Sequence, residues 1–347
     1  MPGAFSRLRL FAFLFAFLFA ACAVSVVPPA LAEATPAMRE RLVFAGPAAS
    51  VTNPLIPMLE SGALDDLARS TEFILWNNPD QLRALVIQGQ VDFIALPTNV
   101  AANLYNRGVP LTLLNVSTWG ALWMVSRTPG LQTLADFKGK EVAIPFRNDM
   151  PDIIFDFLAE EQGLDPQRDF QPRYTATPLD AVQLLITRRV DHALLAEPAV
   201  SMVLRKTQSF PVSLVAPELY RSVNLQEQWG KLLGIEARIP QAGLAALGAA
   251  RLDVELSARV EQAYAQSSRW CNEHPLPCGE MVARRIDLLD AQAVADSLQF
   301  QSPHYASAAQ ARPELETFFR LLLQRQPANL GGKLPEDGFY GKASAQK

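Results

Sequence analysis

Beyond an uncharged apolar run at residues 10–27, short apolar runs alternate along the chain with stretches of helical pattern. Short apolar runs predict strands at residues 41–45, 71–76, 91–96 and 141–145. Helical periodicity predicts helices at residues 56–69, from Pro79 to about Gln88, at 252–272 and at 313–325. Pro79 suits a helix first turn, and Gly89 breaks the helix that follows it. Strands that alternate with helices in this way predict an α/β fold of mixed sheets layered with helices.

One stretch occurs twice, about a hundred residues apart. Leu85-Val86-Ile87-Gln88-Gly89-Gln90-Val91-Asp92-Phe93-Ile94-Ala95-Leu96-Pro97 is echoed by Leu184-Leu185-Ile186-Thr187-Arg188-Arg189-Val190-Asp191-His192-Ala193-Leu194-Leu195, followed by Ala196-Glu197-Pro198. Each copy reads as helix, tight turn, Val-Asp, buried strand, proline and a new helix start. Such strand ends open onto helix amino termini with unpaired N–H groups, which is where ligands of open α/β sheets bind. Two copies imply two lobes that face each other.

The amino terminus reads as an address. Arg7 and Arg9 precede the apolar run, and Ala30-Leu31-Ala32 before Glu33 has the small-x-small form of a cleavage site, so residues 1–32 are expected to be a signal peptide. Phe19-Ala20-Ala21-Cys22 is the alternative, a loose lipoprotein box that would leave a lipid anchor on Cys22. Cleavage after Ala32 leaves residues 33–347, enough for two domains of common size. The whole chain has 31 Lys and Arg against 35 Asp and Glu, a formal charge of −4; without Arg7 and Arg9 it is −6, which argues against nucleic acid as a partner. Cys271 and Cys278 then remain, and in an oxidising compartment they are expected to pair; two separate thiols are the alternative. His274 is the only imidazole near them, so no zinc site is expected, nor any other metal or cofactor.

The residues Val91-Asp92-Phe93-Ile94-Ala95-Leu96-Pro97 with Asn99-Val100-Ala101-Ala102, Leu134-Ala135-Asp136-Phe137-Lys138-Gly139-Lys140-Glu141-Val142-Ala143, and Glu197-Pro198-Ala199 together resemble a known family. It is the type II periplasmic binding proteins of the nitrate, sulfonate, taurine and thiamine-precursor class. Phe137 replaces the leucine usual at that place, and Cys271 and His274 depart from the family's tryptophan and Asn-Pro helix end. The resemblance implies a two-lobed type II fold, each lobe a mixed sheet flanked by helices, joined by a two-segment hinge. It implies a first lobe at 33–128 and 215–347, a second lobe at 129–214, and carboxy-terminal helices that brace the first. It also implies a monomeric solute-binding component of an ABC importer, located in the periplasm, that carries a small organic molecule to a membrane permease and catalyses nothing.

Residues for the cleft follow from the strand ends. In the first lobe these are Ser50, Thr52 and Asn53, then Asn77, then Thr98 and Asn99. In the second lobe they are Phe146, Arg147, Asn148 and Asp149 after the strand 141–145, together with Glu197; Trp119 and Gln241 lie near the crossings. Asp149 or Asn148 is expected to cap the next helix. Arg147 could offer a bidentate fork to a sulfonate or similar anion, and that makes a small organic anion the expected solute. Glu197 could meet the solute or brace the hinge. An enzyme on the same fold acting on a pyrimidine-like molecule, and a sensory or structural envelope protein, are the alternatives. Of the three histidines in the mature chain, His192 falls inside a predicted buried strand, and no nucleophile elbow, His-Glu-x-x-His helix or phosphate loop is present in the sequence.

Overall fold

The computed structural model describes residues 38–216 and 218–341. The leader and the Cys22 alternative lie outside the described residues.

Two five-stranded sheets carry the fold. The first is built from β1 (Leu42–Gly46), β2 (Thr71–Leu75), β3 (Phe93–Pro97), β4 (Leu111–Leu113) and β11 (Ala242–Leu247), in the order β2-β1-β3-β11-β4. The second is built from β6 (Leu122–Ser126), β7 (Glu141–Pro145), β8 (Gln171–Thr175), β9 (His192–Ala196) and β10 (Tyr220–Asn224), in the order β10-β6-β9-β7-β8. A short pair, β5 (Asn115–Val116) with β12 (Ala306–Ser307), stands apart.

Each sheet repeats the other's topology. β1 pairs in parallel with β2 and β3 as β7 does with β8 and β9, and one antiparallel strand from elsewhere in the chain, β11 or β6, borders β3 or β9. The sequence echo is therefore a repeat of structure: α2 (Pro79–Ile87), β3 and α3 (Thr98–Asn106) in one sheet, α5 (Pro178–Ile186), β9 and α6 (Ala199–Gln208) in the other.

Strand alternation divides each core in two. On the first sheet Val43, Ala45, Ile94 and Leu96 meet α2 and α3 through Leu82, Val86, Val100 and Leu104. Leu42, Phe44, Phe93, Ala95 and Leu244 meet the opposite layer, α1 (Leu55–Glu60) and α9 (Val254–Glu273), and the Phe44 and Phe93 rings stack 5.1 Å apart. In the second sheet Val142, Ile144 and Leu194 pack on α4 (Met150–Glu161), while Ala143, Ala193 and Leu195 pack with α5 and α6.

Two expectations need correction. The helix expected over 56–69 stops at Glu60, because Ser61 closes it onto the Pro57 carbonyl and Gly62 takes the left-handed φ of 75°. The second lobe is also longer than 129–214, since β6 and β10 both pair within its sheet. Next in the chain is α8 (Leu225–Leu233), whose Trp229 packs against Phe157 of α4. The chain thus crosses at 117–121 and 234–241, and the crossings bond to each other: Thr118 N–H to the Ala242 carbonyl, Gln241 N–H to that of Thr118.

The carboxy-terminal helices touch both lobes. α9 lies under the first sheet, and its last turn is bridged to α10 (Pro275–Arg285) by the Cys271–Cys278 disulfide. Asp296 of α11 (Ala291–Ser297) receives Arg205 of α6 at 2.7 Å, and Arg325 of α12 (Arg312–Arg325) pairs with Glu160 of α4 at 2.9 Å.

Candidate functional site

β1 ends at Gly46 because the turn that follows folds back over it: a Cβ there would lie 2.4 Å from the Thr52 hydroxyl oxygen. The chain then makes a single 3-10 turn at Ser50–Thr52 before α1 begins. This loop carries Ser50, Thr52 and Asn53 between the lobes. Ser50 Oγ donates to the Glu197 carbonyl of the second lobe at 2.9 Å, so the facing loops touch.

Thr52 Oγ1, both amide atoms of Asn53 and Asn99 Oδ1 are buried without a hydrogen-bond partner. They sit at the carboxyl ends of β1 and β3, where α3 starts directly after Pro97 with no side-chain cap. Thr98 is already engaged, its hydroxyl donating to the Pro240 carbonyl at 2.6 Å. Asn77 stays exposed, with its N–H on Gln81 Oε1 at 2.7 Å.

Across from them, Phe146 and Asn148 take left-handed φ values of 61° and 58°, and the tight turn brings Asp149 to the start of α4. There Asp149 Oδ1 accepts the Met150 N–H at 2.8 Å, and its other oxygen lies 4.0 Å from Arg83 Nη2 of the opposite lobe. Burial pushes this carboxyl above its ordinary range, while the Met150 N–H, Arg83 and a hydrogen bond with the Asn99 side chain oppose the rise. Arg147 shares none of these bonds. Its guanidinium covers the Tyr174 ring at 4.8 Å and borders an outer groove of about 520 Å³ with Asp156, Glu160 and Asp165.

Glu197 is buried and fully engaged. Arg221 of β10 donates to its Oε1 through Nε at 3.2 Å and Nη2 at 2.6 Å, and the Ser201 N–H donates to its Oε2 at 3.1 Å. Burial raises this carboxyl too, against the pull of Arg221 and Ser201. The geometry is that of a brace, one of the two roles expected for Glu197. Gln241 is a brace as well, its Oε1 accepting the Ala121 N–H at 3.0 Å and tying the crossings together. Trp119 is buried in the first crossing with its indole N–H on the Val116 carbonyl and its ring edge-on to His304 at 4.7 Å.

Sequence reasoning missed Arg83 and Arg221. Arg83 sits one turn into α2 and reaches Asp149 only where the lobes meet, while Arg221 sits on a strand with no motif and reaches Glu197 only through the strand order of the second sheet. His192, set aside as a core residue, is buried with Nδ1 2.9 Å from Ser126 Oγ, and burial holds the ring below its ordinary pKa. Among the described residues no cluster of His, Cys, Asp and Glu could hold a metal ion, and no helix is long and apolar enough to cross a membrane.

Comparison with known proteins adds a family. Residues 52–266 match the model of a family described as "ABC transporter, phosphonate, periplasmic substrate-binding protein". An ABC transporter structure from Parabacteroides distasonis superposes with a TM-score of 0.70 at 22% identity, covering 87% of this chain and 99% of that one. The periplasmic aliphatic sulphonate binding protein of Escherichia coli gives 0.61 at 15% identity, over 87% and 99% of the two chains. The periplasmic nitrate-binding protein of Synechocystis gives 0.65 at 14% identity, over 84% of each. At these identities the likeness to the three structures is one of fold. No curated protein matches by sequence.

Proposed function

The chain belongs to the family of periplasmic substrate-binding proteins of phosphonate ABC transporters, and from that premise we propose that it captures a small oxyanionic solute between its lobes, without altering it, for delivery to a membrane permease. The observation that carries this reading is the set of buried, unpartnered atoms on Thr52, Asn53 and Asn99. A buried polar group left without a partner costs roughly 1–3 kcal/mol, so the two donors among these atoms, the Thr52 hydroxyl and Asn53 Nδ2, favour a solute that accepts from them at the end of β1.

Oxyanion chemistry suits the donors present. The Thr98 N–H is taken by the Gln241 carbonyl, but the Thr52 hydroxyl, the Asn53 amide and the Asn99 and Val100 N–H groups at the start of α3 can donate, and a helix amino terminus favours negative charge. Of the cations by the facing loops, Arg83 is paired with Asp80 and Asp149, Arg221 with Glu197, and Arg147 lies over the Tyr174 ring, so recognition rests on N–H and O–H groups. The proteins of similar fold are named for sulphonate and nitrate and the family for phosphonate, and all three carry oxygens that accept hydrogen bonds. The Ser50–Glu197 contact closes the site, so entry requires the lobes to part about the crossings 117–121 and 234–241, a hinge motion. The leader expected at residues 1–32 would place the protein in the periplasm.

The test is thermal unfolding of protein refolded to remove bound solute, with methylphosphonate, methanesulfonate or nitrate added. A solute at a hundred times its Kd adds about 2.7 kcal/mol, a shift of several degrees. The reading predicts such a shift with at least one oxyanion and its loss in Asn53→Ala. No shift with any of the three would refute it.

A further inference from the structure

The loop that carries Thr52 and Asn53 is held from behind by α9. Tyr264 and Ser267 lie three residues apart, on one face of that helix. The Tyr264 hydroxyl donates to the Val51 carbonyl at 2.7 Å and the Ser267 hydroxyl to the Pro54 carbonyl at 2.6 Å, so the two bonds bracket Thr52 and Asn53. One turn further along, the Cys271 sulfur lies 3.9 Å from the Asn53 carbonyl; joined to Cys278 it has no proton to give, and the contact is packing.

A tyrosine hydroxyl has one proton. Tyr264 gives it to Val51, so in its 2.8 Å contact with Ser117 it must accept. Ser117 stands on the first crossing, its own N–H bonded to the Ala242 carbonyl. A line of hydrogen bonds therefore runs from the crossing strands through Tyr264 to the loop. Within the loop itself, the turn is secured by only two backbone bonds, Thr52 N–H to the Ala49 carbonyl and Asn53 N–H to that of Ser50. One 3-10 turn is too short to hold a single orientation unaided.

We propose that Tyr264 and Ser267 are positioning residues for solute binding: from the far side of the loop, they hold Thr52 and Asn53 facing the opposite lobe before solute arrives. This rests on the reading in which those two side chains meet the solute. Orientation set in advance removes an ordering cost from binding, so losing it weakens affinity although neither hydroxyl touches the solute.

Two measurements on Tyr264→Phe and Ser267→Ala decide the matter. The first is amide hydrogen exchange without any solute. It is expected to quicken about tenfold across residues 50–53 while α2 stays at the wild-type rate. The second is calorimetric affinity for methylphosphonate, methanesulfonate or nitrate, whichever the wild type binds, in Tyr264→Phe, Asn53→Ala and the double variant. Tyr264→Phe is expected to weaken binding about tenfold, and to add little once Asn53→Ala is present, because residues acting through one group are not additive. Unchanged exchange in both hydroxyl variants overturns the proposal, and so does full additivity with Asn53→Ala. If the wild type binds none of the three anions, the underlying reading fails, and the exchange data still decide whether α9 holds the loop. Should Tyr264→Phe not fold, Ser267→Ala carries both measurements.

Discussion

Arg221 Nη2 lies 2.6 Å from Glu197 Oε1, and the Glu197 side chain is wholly buried while that of Arg221 is 17% exposed. The same glutamate offers its backbone oxygen to Ser50 of the other lobe. Phe300 covers the guanidinium at 3.5 Å, so this one pair joins β9, β10 and the carboxy-terminal segment. Removing one partner of such a pair leaves a charge stranded in the interior. Arg221→Met is expected to destabilise the protein by about 3–5 kcal/mol, and Glu197→Gln with Arg221→Met by less than Arg221→Met alone. Urea unfolding midpoints of the wild type and the two variants check this; equal losses in the single and the double variant would contradict it.

Asp156 stands on α4 between Asp152 and Glu160, each one turn away, and its carboxyl is pushed up to about 7, first by burial and then by Asp152 and Glu160. A carboxyl whose folded pKa exceeds its unfolded value binds its proton more tightly when folded. Its contribution is fully present below the unfolded value of 3.8 and is lost as pH rises through about 7. Asp156→Asn removes that dependence. The variant is expected to gain on the wild type between pH 5 and pH 8, seen as a difference in urea midpoints that grows with pH. A difference that stays constant would mean that Asp156 does not titrate in this range.

The Cys271–Cys278 bridge closes a short loop, a sequence separation of 7. Chain entropy for a loop of that size predicts about 2–3 kcal/mol of stabilisation. Cys271→Ser with Cys278→Ser is expected to lower the thermal midpoint accordingly, with α9 retaining its helical signal by circular dichroism.

Much of the first lobe was legible in the chain. Strands at 42–46, 71–75 and 93–97 fall within two residues of their expected bounds, and the strand at 141–145 matches, because a short apolar run between turns is a local signal. The repeat was legible for the same reason. The lobe limits were not: β6 joins the second sheet only by pairing with β9, some seventy residues later, and no local period reports such a partner. That Thr52, Asn53 and Asn99 stand at the carboxyl ends of β1 and β3 was legible as well, because those loops directly follow recognisable strands. The place of the Arg147 side chain over Tyr174 was not legible, because its neighbours Phe146 and Asn148 take left-handed backbone angles, which neither residue announces. Arg221 was missed because its importance comes entirely from Glu197, a partner on another strand.

The most direct test of the central claim is a crystal structure of the protein grown with the oxyanion that stabilises it. The anion is expected between the lobes, with its oxygens about 2.7–3.2 Å from Thr52 Oγ1, the Asn53 amide and the Asn99 and Val100 N–H groups of α3. An anion bound on the outer groove beside Arg147 and Tyr174, with Thr52 and Asn53 still unpartnered, would contradict it.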